Sequence, residues 1–170
     1  MNALNAVRIV QADYALPAHA KALVAVLDAY ARDIAGGGEP LSEFVMANLV
    51  AELASRAQVY SILAFDGENP VGLVNCIEGF STFACKPLVN VHDVAVLASH
   101  RGRGIAAQML ALAETIAQQR GAVKLTLEVL TGNRPAIALY ERLGFEGYQL
   151  DPSMGTATFM HKKLPPLNPA

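Results

Sequence analysis

Arg101, Gly102, Arg103 and Gly104 follow one another between an apolar stretch and a helical one. Fixed positive charge beside two glycines is chemistry for holding an anion. The first amides of a helix have no intrahelical partner and lie at the positive end of its dipole. Glycine lets that backbone approach a ligand with no Cβ in the way. Val91 to Gly121 reads as strand, tight basic turn and long helix, so the turn is a seat for a di- or polyphosphate.

Two nucleotide-binding patterns compete for such a turn. Gly102-x-Gly104-x-x-Ala107 satisfies the loose dinucleotide fingerprint, and Glu128 on the next predicted strand has the place of a ribose-binding acid. Position argues against this reading. The fingerprint belongs in an opening strand–helix unit, whereas here more than half of the chain precedes it and too little follows for the remaining parallel sheet. The Gly-Lys-Ser/Thr ending of a Walker loop is absent.

A third pattern fits better. Arg101-x-x-Gly104-x-Ala106 resembles the Q/R-x-x-G-x-G/A signature of the GNAT acyltransferase superfamily. Downstream, Asn133-Arg-Pro-Ala136-Ile-Ala-Leu-Tyr140-Glu-Arg-Leu-Gly144-Phe145 resembles that family's second signature, N-x-x-A-x-x-x-Y-x-x-x-G-F, in the expected order and at a typical separation. The resemblance implies a mixed α/β fold with a strongly twisted central sheet and helices on both faces, spread over residues 1–170 as one domain. It implies acetyl-CoA as cosubstrate, its pyrophosphate on Arg101, Gly102, Arg103, Gly104, Ile105 and Ala106, with Asn133 and Tyr140 as further contacts. It also implies a backbone amide near Val94, Ala95 and Val96 that polarises the thioester carbonyl, on a strand that splays from its neighbour. Homodimerisation is implied by the resemblance alone.

Acyl transfer from a thioester needs a polarised carbonyl, a neutral attacking amine and a stabilised leaving thiolate. A phenol, with an ordinary pKa near 10, can protonate a nascent thiolate whose own value is about 8.5. On position alone Tyr140, among Ile137, Leu139 and Leu143, also reads as a core residue; the family motif assigns it the role of general acid. For the base, His92 and Asp93 are adjacent on the central strand, where alternation sends neighbouring side chains to opposite faces. His92 has a suitable ordinary pKa. Some members of the family it resembles, polyamine acetyltransferases among them, carry an acid at the position of His92; this sequence departs from that with His92 there and Asp93 next, so both residues stay candidates, with a hydrogen-bonded strand histidine and a backbone-bonded aspartate as the structural alternatives. Glu78 is a weaker third, and His19, His100 and His161 are given no chemistry.

The acceptor side is expected in Tyr30 to Glu43, around Gly36-Gly37-Gly38. Ordering three glycines costs entropy, so a functional flap carrying Tyr30, Asp33, Glu39 and Glu43 stands beside a plain solvated turn. As a flap, its acids favour a cationic, amine-bearing acceptor. The acceptor class, a small-molecule or peptide amine, goes no further than this.

These residues need elements to hold them. Ala6 to Gln11 alternates like a strand; Leu16 to Arg32 has Leu23, Val26, Leu27 and Tyr30 on one helical face, with Asp13 a candidate cap. Ser42 caps a helix over 43–54, anchored by Phe44, Leu49 and Leu53. A hairpin follows over Gln58 to Phe65 and Val71 to Phe80, then a loop to Lys86 and the central strand from Leu88 to Val96. The helix after the turn buries Ile105, Met109, Leu112, Ala113 and Ile116 and stops at Gly121; Lys124 to Leu130 completes a parallel crossover. Asn133 and Pro135 open the next helix and Gly144 ends it. Phe145 to Leu150 and Thr156 to Leu164 read as closing strands, and the tail is expected to fray.

Composition sets the outer bounds. With 53% apolar and 16% charged residues the chain is globular, and a net charge of −2 argues against a nucleic-acid surface. Two cysteines without clustered histidines give neither a disulfide framework nor a metal site. No apolar run spans a membrane and no signal-peptide core is visible, so a cytoplasmic protein is expected.

Overall fold

The computed structural model describes residues 7–165. The chain forms two compact units, residues 1–133 and 134–170.

The first unit is built on a five-stranded sheet in the order β1-β2-β3-β4-β5. β1 (Arg8–Gln11), β2 (Val59–Asp66), β3 (Asn69–Ser81) and β4 (Lys86–Val96) pair antiparallel in sequence, and β5 (Leu125–Leu127) joins β4 in parallel. Ala6, expected to begin β1, lies outside the described residues. Seven of the eight residues of β2 are buried, which a strand reaches only when both faces are covered. α1 (Pro17–Ala31) covers one face: its Ala22, Leu23 and Val26 meet Leu63, Phe65, Leu73 and Ala95. α3 (Ile105–Gln119) covers the other, and the Tyr60 hydroxyl donates to its Ala113 carbonyl at 3.0 Å. The expected mixed α/β sheet with helices on both faces is what forms.

Local chemistry explains most boundaries. Ser42 accepts from the Val45 amide and starts α2 (Glu43–Ala54). Gly121 and Ala122 donate back to the Gln118 and Ala117 carbonyls, closing α3 as its glycine predicts. The buried stripe of α3 is Ile105, Met109, Leu110, Ala113, Ile116 and Ala117; Leu110 takes the place expected for Leu112, because the covered face is wider than a single row.

Other expectations fail for physical reasons. Asp13 does not cap α1: its carboxylate takes the Ala15 amide two residues on, and Leu16 stands at the cap. Phe44 is 75% exposed while Leu49, Val50 and Leu53 pack on the core, so Val50 rather than Phe44 is the third anchor of α2. β5 stops at Leu127 instead of Leu130.

In the second unit α4 (Arg134–Arg142) ends where Phe145 and Gly144 donate to the carbonyls of Tyr140 and Glu141. Tyr140 is the buried residue of α4, and its ring meets Phe145 edge-on at 5.8 Å. The closing strands expected over Phe145 to Leu150 and Thr156 to Leu164 do not form among the described residues. One backbone bond, Ala157 to Tyr148, joins the two segments around a turn at Pro152–Met154. Leu150, Phe159 and Met160 are exposed. Strand propensity without a face to bury does not make a ladder. The last residues of the expected frayed tail, 166–170, lie outside the described residues.

Candidate active site

The central strand is irregular where chemistry was expected. On β3, Asn75 and Cys76 are neighbours; on β4 their partners are Asp93 and Val91. His92 is therefore an extra residue, a β-bulge. The bulge resets the alternation. Val91 lies with Cys76 on the α3 face, whereas Asp93, two residues on, lies with Asn75 on the α1 face. In a regular strand the two would share a face. His92 itself is exposed.

The same shift decides which backbone groups are offered at the strand's outer edge. β5 pairs with Val89, Asn90 and Val91 only, so β4 runs on to Val96 beyond the ladder. The Leu97 amide donates to Val71 on β3. Antiparallel pairing then turns the groups of Asp93 and Ala95 toward β3, and those of Val94 and Val96 toward the open edge. Of the three residues expected to present backbone, Ala95 turns its groups to β3, Val94 turns both of its groups to the open edge, and Val96 offers its amide there while its carbonyl accepts from Arg101. The β4–β5 ladder ends at Val91, so the edge beyond it is unpaired by β5.

The strand leads into the basic turn. Gly102 and Gly104 have φ of 75° and 74°, which side-chain-bearing residues rarely adopt, and the space where their Cβ atoms would project is open. Gly104 stands at the N-cap of α3 and provides no side-chain cap, which leaves the first amides of the helix, from Ile105 and Ala106 onward, for a ligand. An anion seat fits what is present. The two arginines, however, are engaged with aspartates from elsewhere. Arg101 reaches Asp33 at 2.7 Å and the Val96 carbonyl at 3.0 Å. Arg103 reaches Asp66 at 3.2 Å, and the His100 ring meets the same oxygen at 3.3 Å. Asn133 directly precedes α4, its amide donating to Leu130.

Residues of the expected acceptor side gather at the same end of the sheet. Asp33 caps a single helical turn at Ile34–Gly36 by accepting from the Ala35 amide. That bond first, and Arg101 second, hold its carboxyl below the usual range. A Cβ on Gly36 would stand 2.0 Å from the Tyr30 carbonyl oxygen, so the first of the three glycines is required by close packing. The Tyr30 hydroxyl donates to Ala35 at 3.4 Å; burial raises its pKa, and the charges of Asp93 and Asp33 raise it further. Tyr30, Asp33 and Asp93 are thus brought together. Glu39 is exposed, its backbone amide donating to the Ala31 carbonyl.

Asp93 also ends a polar chain that the sequence did not show. The Tyr14 and Ser61 hydroxyls lie 2.9 Å apart, Ser61 donates to Asn75 Oδ1 at 2.6 Å, and Asn75 Nδ2 donates to Asp93 Oδ2 at 2.9 Å. Ser61 and Asn75 are buried. Glu78, by contrast, points to the other face and pairs with Arg120 at 3.3 Å. Tyr140 belongs to the second unit.

Among the described residues no helix is long and apolar enough to cross a membrane, and no three or more His, Cys, Asp or Glu residues group to hold a metal. A streptothricin acetyltransferase of Streptomyces lavendulae is 37% identical over 93 residues, 52% of this chain and 49% of that protein. An uncharacterised N-acetyltransferase of Bacillus subtilis is 33% identical over 98 residues, 58% of this chain and 65% of its own. The chain therefore spans less than two thirds of either relative. An aminoglycoside N-acetyltransferase solved with CoA superposes with a TM-score of 0.69 at 17% identity, covering 93% of this chain and 95% of that one, a likeness of fold. Residues 23–145, across both signatures and the boundary between the two units, match the Acetyltransferase (GNAT) family, and the chain belongs to it.

Proposed function

We propose that the protein is an N-acetyltransferase that moves the acetyl group of acetyl-CoA to a primary amine of a small molecule or peptide in a ternary complex, in the cytoplasm, its two units working as one domain. The observation that carries this reading is the open edge of β4, with the Val94 backbone and the Val96 amide turned toward it, running straight into the glycine turn and the uncapped end of α3. The amides of Ile105 and Ala106 and the guanidinium groups of Arg101 and Arg103 are assigned to the pyrophosphate, with Asn133 as a further contact. For the arginines to serve, the aspartates now facing them must be exchanged for phosphate oxygens, which present more charge.

Bound acetyl-CoA supplies the electrophilic thioester carbonyl. The Val94 or Val96 amide stabilises the oxyanion that develops there. As the amine nitrogen forms its bond to carbon, it gives one proton to a base, and as the carbon–sulfur bond breaks, Tyr140 gives a proton to sulfur; solvent restores both groups. Asp93 is the base of this reading. It is half-buried, shares the α1 face with Tyr30 and is held by Asn75, whereas His92 is exposed on the bulge. Tyr30 borders the acceptor, and Asp33 and Glu39 supply acidic charge on that side.

The test is thiol release from acetyl-CoA with spermidine, lysine, kanamycin and Ala- or Ser-initiated peptides. Release that depends on one acceptor, and falls about 10²–10⁴-fold in Tyr140→Phe while acetyl-CoA still binds, is the expected result. Tight acetyl-CoA binding with no amine-dependent release by any member, or by the minimal amine n-butylamine, points to a CoA-thioester-binding module instead. Failure to bind acetyl-CoA overturns the assignment of the turn.

A further inference from the structure

The polar chain across the α1 face has a direction. A carboxylate only accepts, so the Asn75 amide must turn its NH2 toward Asp93, at 2.9 Å, and its oxygen toward Ser61, at 2.6 Å. The Ser61 hydrogen is then committed to Asn75, and its oxygen is left to accept from the Tyr14 hydroxyl at 2.9 Å. Each O–H or N–H in the row points toward Asp93. Such aligned donors polarise one another and fix the orientation of the carboxylate at the end of the row. An amide cannot pass a proton along readily, so the row is a mount and not a wire.

The row is built into the fold. Ser61 is 0% and Asn75 6% exposed, and they are ladder partners on β2 and β3. Asn75 in turn pairs with Asp93 across the bulge at His92. Without the extra residue, Asp93 would lie on the α3 face and Asn75 would have no carboxylate to hold. Bulge and asparagine together fix one oxygen of Asp93, and the other has no hydrogen-bond donor among the described residues.

We propose that Asn75, oriented by Ser61 and Tyr14, is a positioning residue that holds Asp93 as the proton acceptor for the attacking amine. This rests on the reading of Asp93 as the base. Asn75 touches neither substrate in this assignment; it acts through the carboxylate. A hydrogen bond to a charged group carries enough energy that its loss should lower turnover about 10- to 100-fold.

The experiment is a double-mutant cycle on thiol release, using the panel amine with the highest rate, or n-butylamine if none of the panel stands out. Asn75→Ala and Tyr14→Phe are each made alone and in an Asp93→Asn background. The expected result is a fall in kcat in both single variants, smaller for Tyr14→Phe, with the KM for acetyl-CoA unchanged and no further fall once Asp93 is Asn. Losses that persist in full in the Asp93→Asn background would show that Asn75 acts through the fold, and the proposal fails. Wild-type turnover in Asp93→Asn removes Asp93 as base and the proposal with it. Absence of amine-dependent release from the unmodified protein does the same. If Asn75→Ala lowers the melting temperature, Tyr14→Phe, which deletes one hydroxyl and keeps the ring, carries the cycle by itself.

Discussion

Tyr60 and Ser61 are neighbours on β2, and their partners Cys76 and Asn75 are neighbours on β3, yet the polar groups on the two faces end in different places. On the α3 face everything closes on structure. The Tyr60 hydroxyl ends on the Ala113 carbonyl, and Arg120 lies 4.7 Å over the Tyr60 ring, reaching Ala57 and Glu78. On the α1 face the row ends on Asp93, at the strand end where the sheet is open. Both faces satisfy their buried atoms: among the described residues no buried side-chain nitrogen or oxygen lacks a partner. A chain tied off on backbone docks a helix. One that ends on a carboxylate at an open edge aims, in the proposed function, a base.

The contrast can be broken most directly at Asp93. Asp93→Asn keeps the shape and the bond to Asn75 but removes a base, so kcat for amine acetylation should fall about 10²–10⁴-fold with little change in melting temperature. A stability loss with normal kcat would put the α1 face in the same class as the α3 face.

The α3 face should answer to alkali instead. Burial pushes the Cys76 thiol up to about 12 from an ordinary value of 9.0. Between those values the unfolded chain has released a proton that the folded one keeps. The unfolded state binds fewer protons, so stability is full below about pH 9 and falls as pH rises, by at most about 1.4 kcal/mol per unit. Tyr60, raised beyond that range by burial, adds to the slope only above about pH 10. Urea unfolding from about pH 9 to 11 should show a shallower decline in Cys76→Ala than in the parent chain. Equal slopes would mean the thiol is not held neutral. Smaller still, Tyr60→Phe should cost about 1 kcal/mol in urea unfolding, from the lost bond to Ala113, and leave kcat unchanged.

What the sequence shows of this contrast follows from the range of each interaction. Ile105, Met109, Ala113 and Ile116 announce α3 because their spacing is local, and Ser42 announces α2 because a cap acts three residues away. The two motifs place the turn and Tyr140 for the same reason. The bulge at His92 leaves no such trace. It exists only in the register between β4 and β3, so alternation read along VHDVAV assigns the faces as if the strand were regular. The Tyr14–Ser61–Asn75–Asp93 row joins residues from four segments, and nothing local marks any of them as polar and buried. The closing strands fail the other way: Phe145 to Leu150 has the composition of a strand, but a ladder needs a partner that the pattern cannot supply.

A last polar pair belongs to neither face and refines the rule. Arg101 and Asp33 are 68 residues apart and meet at 2.7 Å near the surface, with side chains 55% and 24% exposed. Arg101 is assigned to phosphate and Asp33 to the acceptor side, so the pair couples the two halves of the site while it lasts. An exposed pair of this kind is weak and screened by salt. Asp33→Asn should free the guanidinium for phosphate and lower the KM for acetyl-CoA about two- to fivefold, an effect that shrinks as salt is raised. Because the Ala35 amide and Arg101 hold the Asp33 carboxyl below its usual range, the parent chain should keep the pair intact through neutral pH and lose it only in acid. If instead the KM for the amine rises and that for acetyl-CoA stays put, Asp33 serves the acceptor directly. The pair would then be a polar contact that ends on a functional carboxylate, as is proposed for the row to Asp93, without being buried.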